Sequence, residues 1–187
     1  MAIKSLLFKR KGRKSLNHML YEQFLTLNLD TSWVGLSREE DQQYFCTPIG
    51  ANIIAWDNGI HYCFIQGFDE MVFAVNPDTG CDHYVYPLAK NFYDFLSLVL
   101  ATKNANAMQQ VILWNKQQFI EFIHAPENVE YDAKPEVTAV LHDIQTKLSV
   151  SPMEHPFEYI KRIQADFPYD KIKFTDEFYE TTGMERP

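Results

Sequence analysis

Two pairs of metal-type ligands mirror each other across the middle of the chain, His61-x-Cys63 and Cys81-x-His83. In a strand, residues i and i+2 point to one face, so each pair would aim an imidazole and a thiol the same way. Zinc requires four such atoms at ~2.0–2.3 Å from one point. Residues 71–75 read as a strand lying between the two pairs, which sets their backbones ~10 Å apart, at two strand spacings. The one-residue gap within each pair also departs from the longer spacing of structural zinc sites. A cysteine nucleophile fares no better, because i, i+2 neighbours stand ~6.5–7 Å apart along a strand. That exceeds the hydrogen-bond reach of a general base. These residues read as a sheet histidine beside Trp56 and as buried thiols. No catalytic, metal or cofactor site is assigned to them.

The acidic groupings are Asp69 with Glu70, Asp78 with Asp82, and the run Glu39-Glu40-Asp41. None matches a motif for carboxylate catalysis. They read as solvated charge or as contacts for a basic partner. Gly50, Gly59, Gly67 and Gly80 fall in neither phosphate-cradling glycine pattern. The expectation is a protein that binds rather than an enzyme. Its candidate contact residues are Phe68, Asp69 and Glu70 in one loop, with Asp78 and Asp82 in the next.

The elements that must hold these residues are legible in the pattern. Leu16, Met19, Leu20, Phe24 and Leu27 recur at helical spacing and predict a helix over residues 15–28. Ser37 with Glu40 resembles a capping box and predicts a short helix. Residues 51–56 and 60–65 flank Asn58-Gly59, a pair suited to a type I′ turn. A two-residue loop opposes Asp57 to Ile60, Trp56 to His61, Ala55 to Tyr62 and Ile54 to Cys63. One face then carries Ile54, Trp56, His61 and Cys63, and the other Ile53, Ala55, Tyr62 and Phe64. Both faces are largely apolar, which predicts cover on both sides of the sheet. Strands follow at 71–75 and 83–86, the latter closed by Pro87, and the short connections predict an antiparallel meander.

Asn91 caps a helix with Asp94 in its first turn. Its residues Phe92, Phe95, Leu96, Val99 and Leu100 form one apolar stripe. Further helices are predicted at 106–114, at 116–124 with Phe119, Ile120 and Ile123 inward, at 134–148 and at 155–167. An acidic linker is read at 125–133. Tyr169, Phe174, Phe178 and Tyr179 make the tail too aromatic for solvent. The fold class is α+β: an antiparallel β-meander packed with helices, with a helical C-terminal extension. The division expected is a core over residues 1–104, and an extension over 105–187 packed on the same domain.

The chain has 187 residues and a net charge of −8, distributed unevenly. Lys4, Lys9, Arg10, Lys11, Arg13 and Lys14 precede Glu22, the first acid; the other 11 basic residues face all 25 acids, a balance of −14. An acidic body repels nucleic acid and favours basic partners. The basic N-terminus reads as an exposed, frayed end. Its apolar stretch, residues 3–8, is too short for a signal peptide and precedes most of the charge. No run is long enough for a membrane span. Three cysteines without framework spacing read as free thiols, which places the chain in a reducing cytosol.

Residues 57–65 (DNGIHYCFI), 70–75 (EMVFAV) and 85–96 (VYPLAKNFYDFL) resemble the SUKH superfamily, which includes the yeast glucan-synthesis regulator and bacterial immunity proteins. The most specific segment is the last, where a sheet runs into a helix through an alanine, a polar cap, then Phe and Phe-Leu. The family's early Leu-Pro segment has no counterpart here, and the helical extension is longer than expected. The resemblance implies a non-catalytic α+β module that binds another protein, without cofactor. In the immunity reading the partner is a basic toxin domain. In the alternative, the chain is a regulatory or scaffolding protein of the same fold without a toxin.

Overall fold

The computed structural model describes residues 16–38, 43–78 and 83–186. Helix α1 (Leu16–Thr26) leads through a 3-10 turn at Thr31–Val34 into the sheet. Four strands follow: β1 (Ala51–Asp57), β2 (Ile60–Ile65), β3 (Val72–Val75) and β4 (Val85–Ala89). They pair antiparallel in sequence order, the expected meander of an α+β fold. Then come α2 (Phe92–Thr102), α3 (Asn106–Gln110), α4 (Lys116–Ile123), α5 (Pro126–Asp132), α6 (Pro135–Lys147) and α7 (Pro156–Ala165). A 3-10 turn at Tyr169–Lys171 and helix α8 (Asp176–Thr182) close the chain.

The β1–β2 turn forms as its residues require, with φ of 49° at Asn58 and 77° at Gly59, both positive as a type I′ turn demands. Trp56 opposes His61 and Ala55 opposes Tyr62, but Cys63 faces Ile53 and not Ile54. A bulge between Ile53 and Ala55 inserts one residue. It turns Ile54 to the face of Ala55 and Tyr62, and Ile53 to the face of Cys63. The expected places of the two isoleucines are therefore exchanged, because an extra residue breaks the period of two.

Both faces of the sheet are covered. On one, Ile54, Tyr62, Val72, Ala74 and Leu88 meet the stripe of α2. Phe92, Phe95, Leu96 and Val99 are each at most 1% exposed, and burial contributes ~1.5–3 kcal/mol per large side chain before entropy. The Asn91 side chain accepts from the Asp94 amide at 2.9 Å and caps this helix as predicted. On the other face, Cys63, Phe73, Val75 and Val85 are covered by Cys46 and by the tail residues Ile172 and Phe178. The aromatic tail is core: Phe174 stacks on Phe178 at 3.9 Å, and Phe167 meets Phe73 at 5.3 Å. The first apolar cluster runs on without a break through Met108, Phe119, Val137, Ile144 and Ile160.

Several local expectations change. Strand β4 does not stop at Pro87 but runs through it, with Pro87 opposite Phe73. β4 is an edge strand, where proline's missing N–H costs no ladder bond. Gln164 of α7 covers that edge and donates from Nε2 to the Pro87 carbonyl at 3.3 Å. Ser37 pairs both ways with the Trp56 backbone at 2.9 Å, extending the sheet edge. Glu39, Glu40 and Asp41, with the helix expected there, lie outside the described residues, as do Cys81, Asp82 and the basic N-terminus. Residues 126–132, read as linker, form α5, because Pro126 begins the helix and Glu127 favours its N-terminal dipole. Helix α3 ends at Gln110, where i→i+3 bonds from Val111 and Leu113 tighten the chain. Met19 and Ile120 face solvent, at 44% and 37% exposure, so the apolar faces of α1 and α4 are narrower than their spacing suggested.

Candidate functional site

Of the contact residues expected from sequence, Phe68, Asp69 and Glu70 share one loop, Asp78 stands apart from it, and Asp82 lies outside the described residues. Phe68 is half-buried, its ring against Phe73 at 5.5 Å and Phe167 at 5.4 Å, so it anchors the loop more than it offers a surface. Asp69 is exposed, at φ 52°, and Glu70 is half-buried. Phe68 and Asp69 line a groove of about 560 Å³ that also holds Lys90, Arg162 and Lys171. Asp166 lines it too, so three cations and two acids share the groove. Asp78 is exposed at the far end of β3, where its amide donates to Asn76 Oδ1 at 2.9 Å. Four residues of strand separate it from the loop, ~13 Å.

The soft-ligand residues sit in a tight core. His61 is fully buried between the stacked ring of Tyr44 at 5.4 Å and Trp56 at 4.9 Å. Both its nitrogens lack a hydrogen-bond partner among the described residues, and burial pulls its pKa down to about 4. Burial pushes the Cys46 thiol up to about 12 and the Cys63 thiol higher still. Both thiols are thereby held protonated and weakly nucleophilic. Among the described residues no group of three or more metal-type ligands comes together.

A different place gathers polar chemistry. The β1–β2 turn, the end of α2, the start of α3, and α4 and α5 enclose a cleft of about 390 Å³. Its floor is Asp57, the last residue of β1. Asp57 Oδ2 accepts from Gln109 Nε2 at 2.8 Å. Gln109 is 1% exposed and its Oε1 has no hydrogen-bond partner among the described residues, while its backbone carbonyl accepts from the Tyr86 hydroxyl at 2.8 Å. Burial raises the Asp57 carboxyl to about 6, against the Gln109 hydrogen bond, which lowers it. Across the cleft burial also raises Asp132, and Lys103 at 3.8 Å opposes that only in part. Tyr131 is raised by burial and then by the charges of Asp57, Asp132 and Asp30.

Gly35 makes this arrangement possible. Its φ is +72°, and a Cβ there would meet Asn104 Oδ1 at 2.8 Å and Asp57 Cγ at 3.1 Å. Only a residue without a side chain lets both lie so close. The hydroxyls around the cleft point their protons into the protein. Thr102 donates to the Leu98 carbonyl at 2.9 Å and Tyr131 to that of Trp33 at 3.2 Å. Ser32 donates to Asp30, and the Asn128 amide to the Phe122 carbonyl at 2.7 Å. The cleft therefore presents the two carboxylates among the side-chain amides of Asn58, Asn104, Asn106 and Asn128.

Sequence reasoning missed this site. Asp57 reads as the polar end of a hairpin, and Asn128 and Asp132 fall in what reads as linker. The one available signal was an acid placed directly between an apolar strand and an Asn-Gly turn.

The fold and cleft define an α+β domain with an acidic recess at the hairpin end of its sheet. No protein-family model matches the chain, and no curated protein or solved structure matches it significantly. Among the described residues no helix is long and apolar enough to cross a membrane.

Proposed function

We propose that this chain is a non-catalytic binding module of the immunity type suggested by its SUKH resemblance, and that it engages a basic protein, a toxin domain in that reading, through the cleft at Asp57. One observation carries the proposal: two partly buried carboxylates, on β1 and α5, line one recess, and among the described residues the one ion pair to either is Lys103 with Asp132, at 3.8 Å. Leaving such carboxylates short of positive charge is costly to the free chain and is relieved by a cationic partner. The net balance of −14 over residues 15–187 adds long-range attraction for a basic surface.

The test is comparative capture. Immobilised wild type and the double variant Asp57→Asn/Asp132→Asn are exposed to lysate of the source cells, and bound proteins are eluted with salt and identified. The reading expects a basic protein that binds one-to-one, elutes with salt and is lost on the double variant. Equal capture by both, or capture of acidic proteins alone, overturns it.

A further inference from the structure

We infer that the cleft at Asp57 is a socket for one arginine side chain of the partner, an inference that rests on the binding reading above and deepens it. The argument starts from donors and acceptors. Thr102, Tyr131 and Ser32 each engage their hydroxyl proton elsewhere in the protein, and Asn128 turns an N–H to the Phe122 carbonyl. What the lining leaves uncompensated is the negative charge of its two carboxylates, Asp57 and Asp132, which calls for a cationic donor. Asp57 keeps one carboxylate oxygen beyond the Gln109 bond, and Asp132 meets Lys103 only at 3.8 Å.

These acceptors stand on separate elements, β1 and α5. A guanidinium has five donors in a flat fork and tolerates dehydration better than an ammonium. The lining adds flat apolar surface, Tyr131 and Phe122, against which such a plane can lie. The recess, about 390 Å³, is at the small end of ligand sites and suits a side chain rather than a larger segment. Gln109, buried behind Asp57 and held by the Tyr86 hydroxyl at its carbonyl, fixes the carboxylate so that little freedom is lost on binding.

The probes are N-acetyl-arginine amide, N-acetyl-lysine amide and N-acetyl-citrulline amide, the last an uncharged isostere of arginine. Each is titrated into the full chain while the backbone and side-chain amide signals of Asn58, Asn104, Asn128 and Gln109 are followed by NMR. The expected result is saturable shifts at these residues with arginine, roughly tenfold weaker binding of lysine, and none of citrulline. Asp132→Asn weakens the arginine probe about tenfold while leaving the signals of the α2 core unchanged, which separates loss of the site from loss of the fold. Equal response to all three probes, shifts elsewhere on the surface, or no saturable response to arginine overturns the socket. If the arginine probe fails but capture of a basic protein still depends on Asp57 and Asp132, only the socket falls. If capture does not depend on them, the binding reading falls with it.

Discussion

Replacing Asp57 with asparagine should make the protein more stable at neutral pH and, at the same time, newly sensitive to acid. The reason lies in two buried groups that oppose each other. Asp57 is raised from 3.8 to about 6 in the folded chain. The folded state therefore holds this proton more tightly than the unfolded state does. That stabilisation is fully present below pH 3.8 and is lost as pH rises through about 6. His61 is lowered from 6.5 to about 4. Its contribution is present above pH 6.5 and is lost as pH falls through about 4. At ~1.36 kcal/mol per unit, each shift corresponds to about 3 kcal/mol. Between pH 6.5 and 4 one group gains what the other loses, and their joint effect on stability is nearly flat.

Asp57→Asn removes one arm of this balance. Urea unfolding should show up to ~3 kcal/mol more stability at pH 7, and a fall of similar size between pH 6.5 and 4. His61→Phe removes the other arm. Repacking against Tyr44 and Trp56 shifts its whole curve, but the slope reverses, and stability rises on acidification. Curves for both variants that run parallel to wild type across this window would refute the reasoning.

Other substitutions probe the supports of the cleft and the sheet. Gly35→Ala, at φ +72° and with its Cβ 2.8 Å from Asn104 Oδ1, should cost more than ~1 kcal/mol in thermal or urea unfolding. It should also weaken the arginine probe. Tyr159→Phe removes a hydroxyl that donates to Asp94 Oδ2 at 2.6 Å and accepts from the Lys90 amide at 2.9 Å. It should cost ~1–3 kcal/mol by the same assay, because the α2 carboxylate loses a partner. Phe178→Ala opens the second sheet face and should cost ~3–5 kcal/mol, exposing Cys63 to thiol reagents.

The sheet was legible because its signals are local and redundant. Asn58-Gly59 fixes a turn, the turn fixes the opposition of Trp56 to His61, and the Asn91 cap with the Phe92–Leu100 stripe fixes the covering helix. The bulge at Ile54 was not legible. Ile53 and Ile54 are chemically identical, so nothing in composition says which of them is the extra residue. Pro87 misled because its cost depends on whether its strand lies at an edge, a property of the whole sheet. Residues 125–133 read as linker because acids stand out there, whereas Pro126 in the first turn starts α5. The cleft was invisible for a further reason. Asp57, Asn104 and the α5 pair Asn128 and Asp132 lie on three different segments, and only packing around Gly35 and Gln109 brings them together. The loop acids at 69–70 stand out by contrast because they are adjacent in sequence, yet Lys90, Arg162 and Lys171, which share a groove with Asp69, could be placed only by the fold.

Hydrogen exchange on the complex with the captured partner tests the central claim most directly. Amide protection should rise over residues 57–59, 102–107 and 122–132, with residues 66–71 and 76–78 unchanged. Protection confined to residues 66–71 and 76–78, with the Asp57 cleft exchanging as in the free chain, would contradict it.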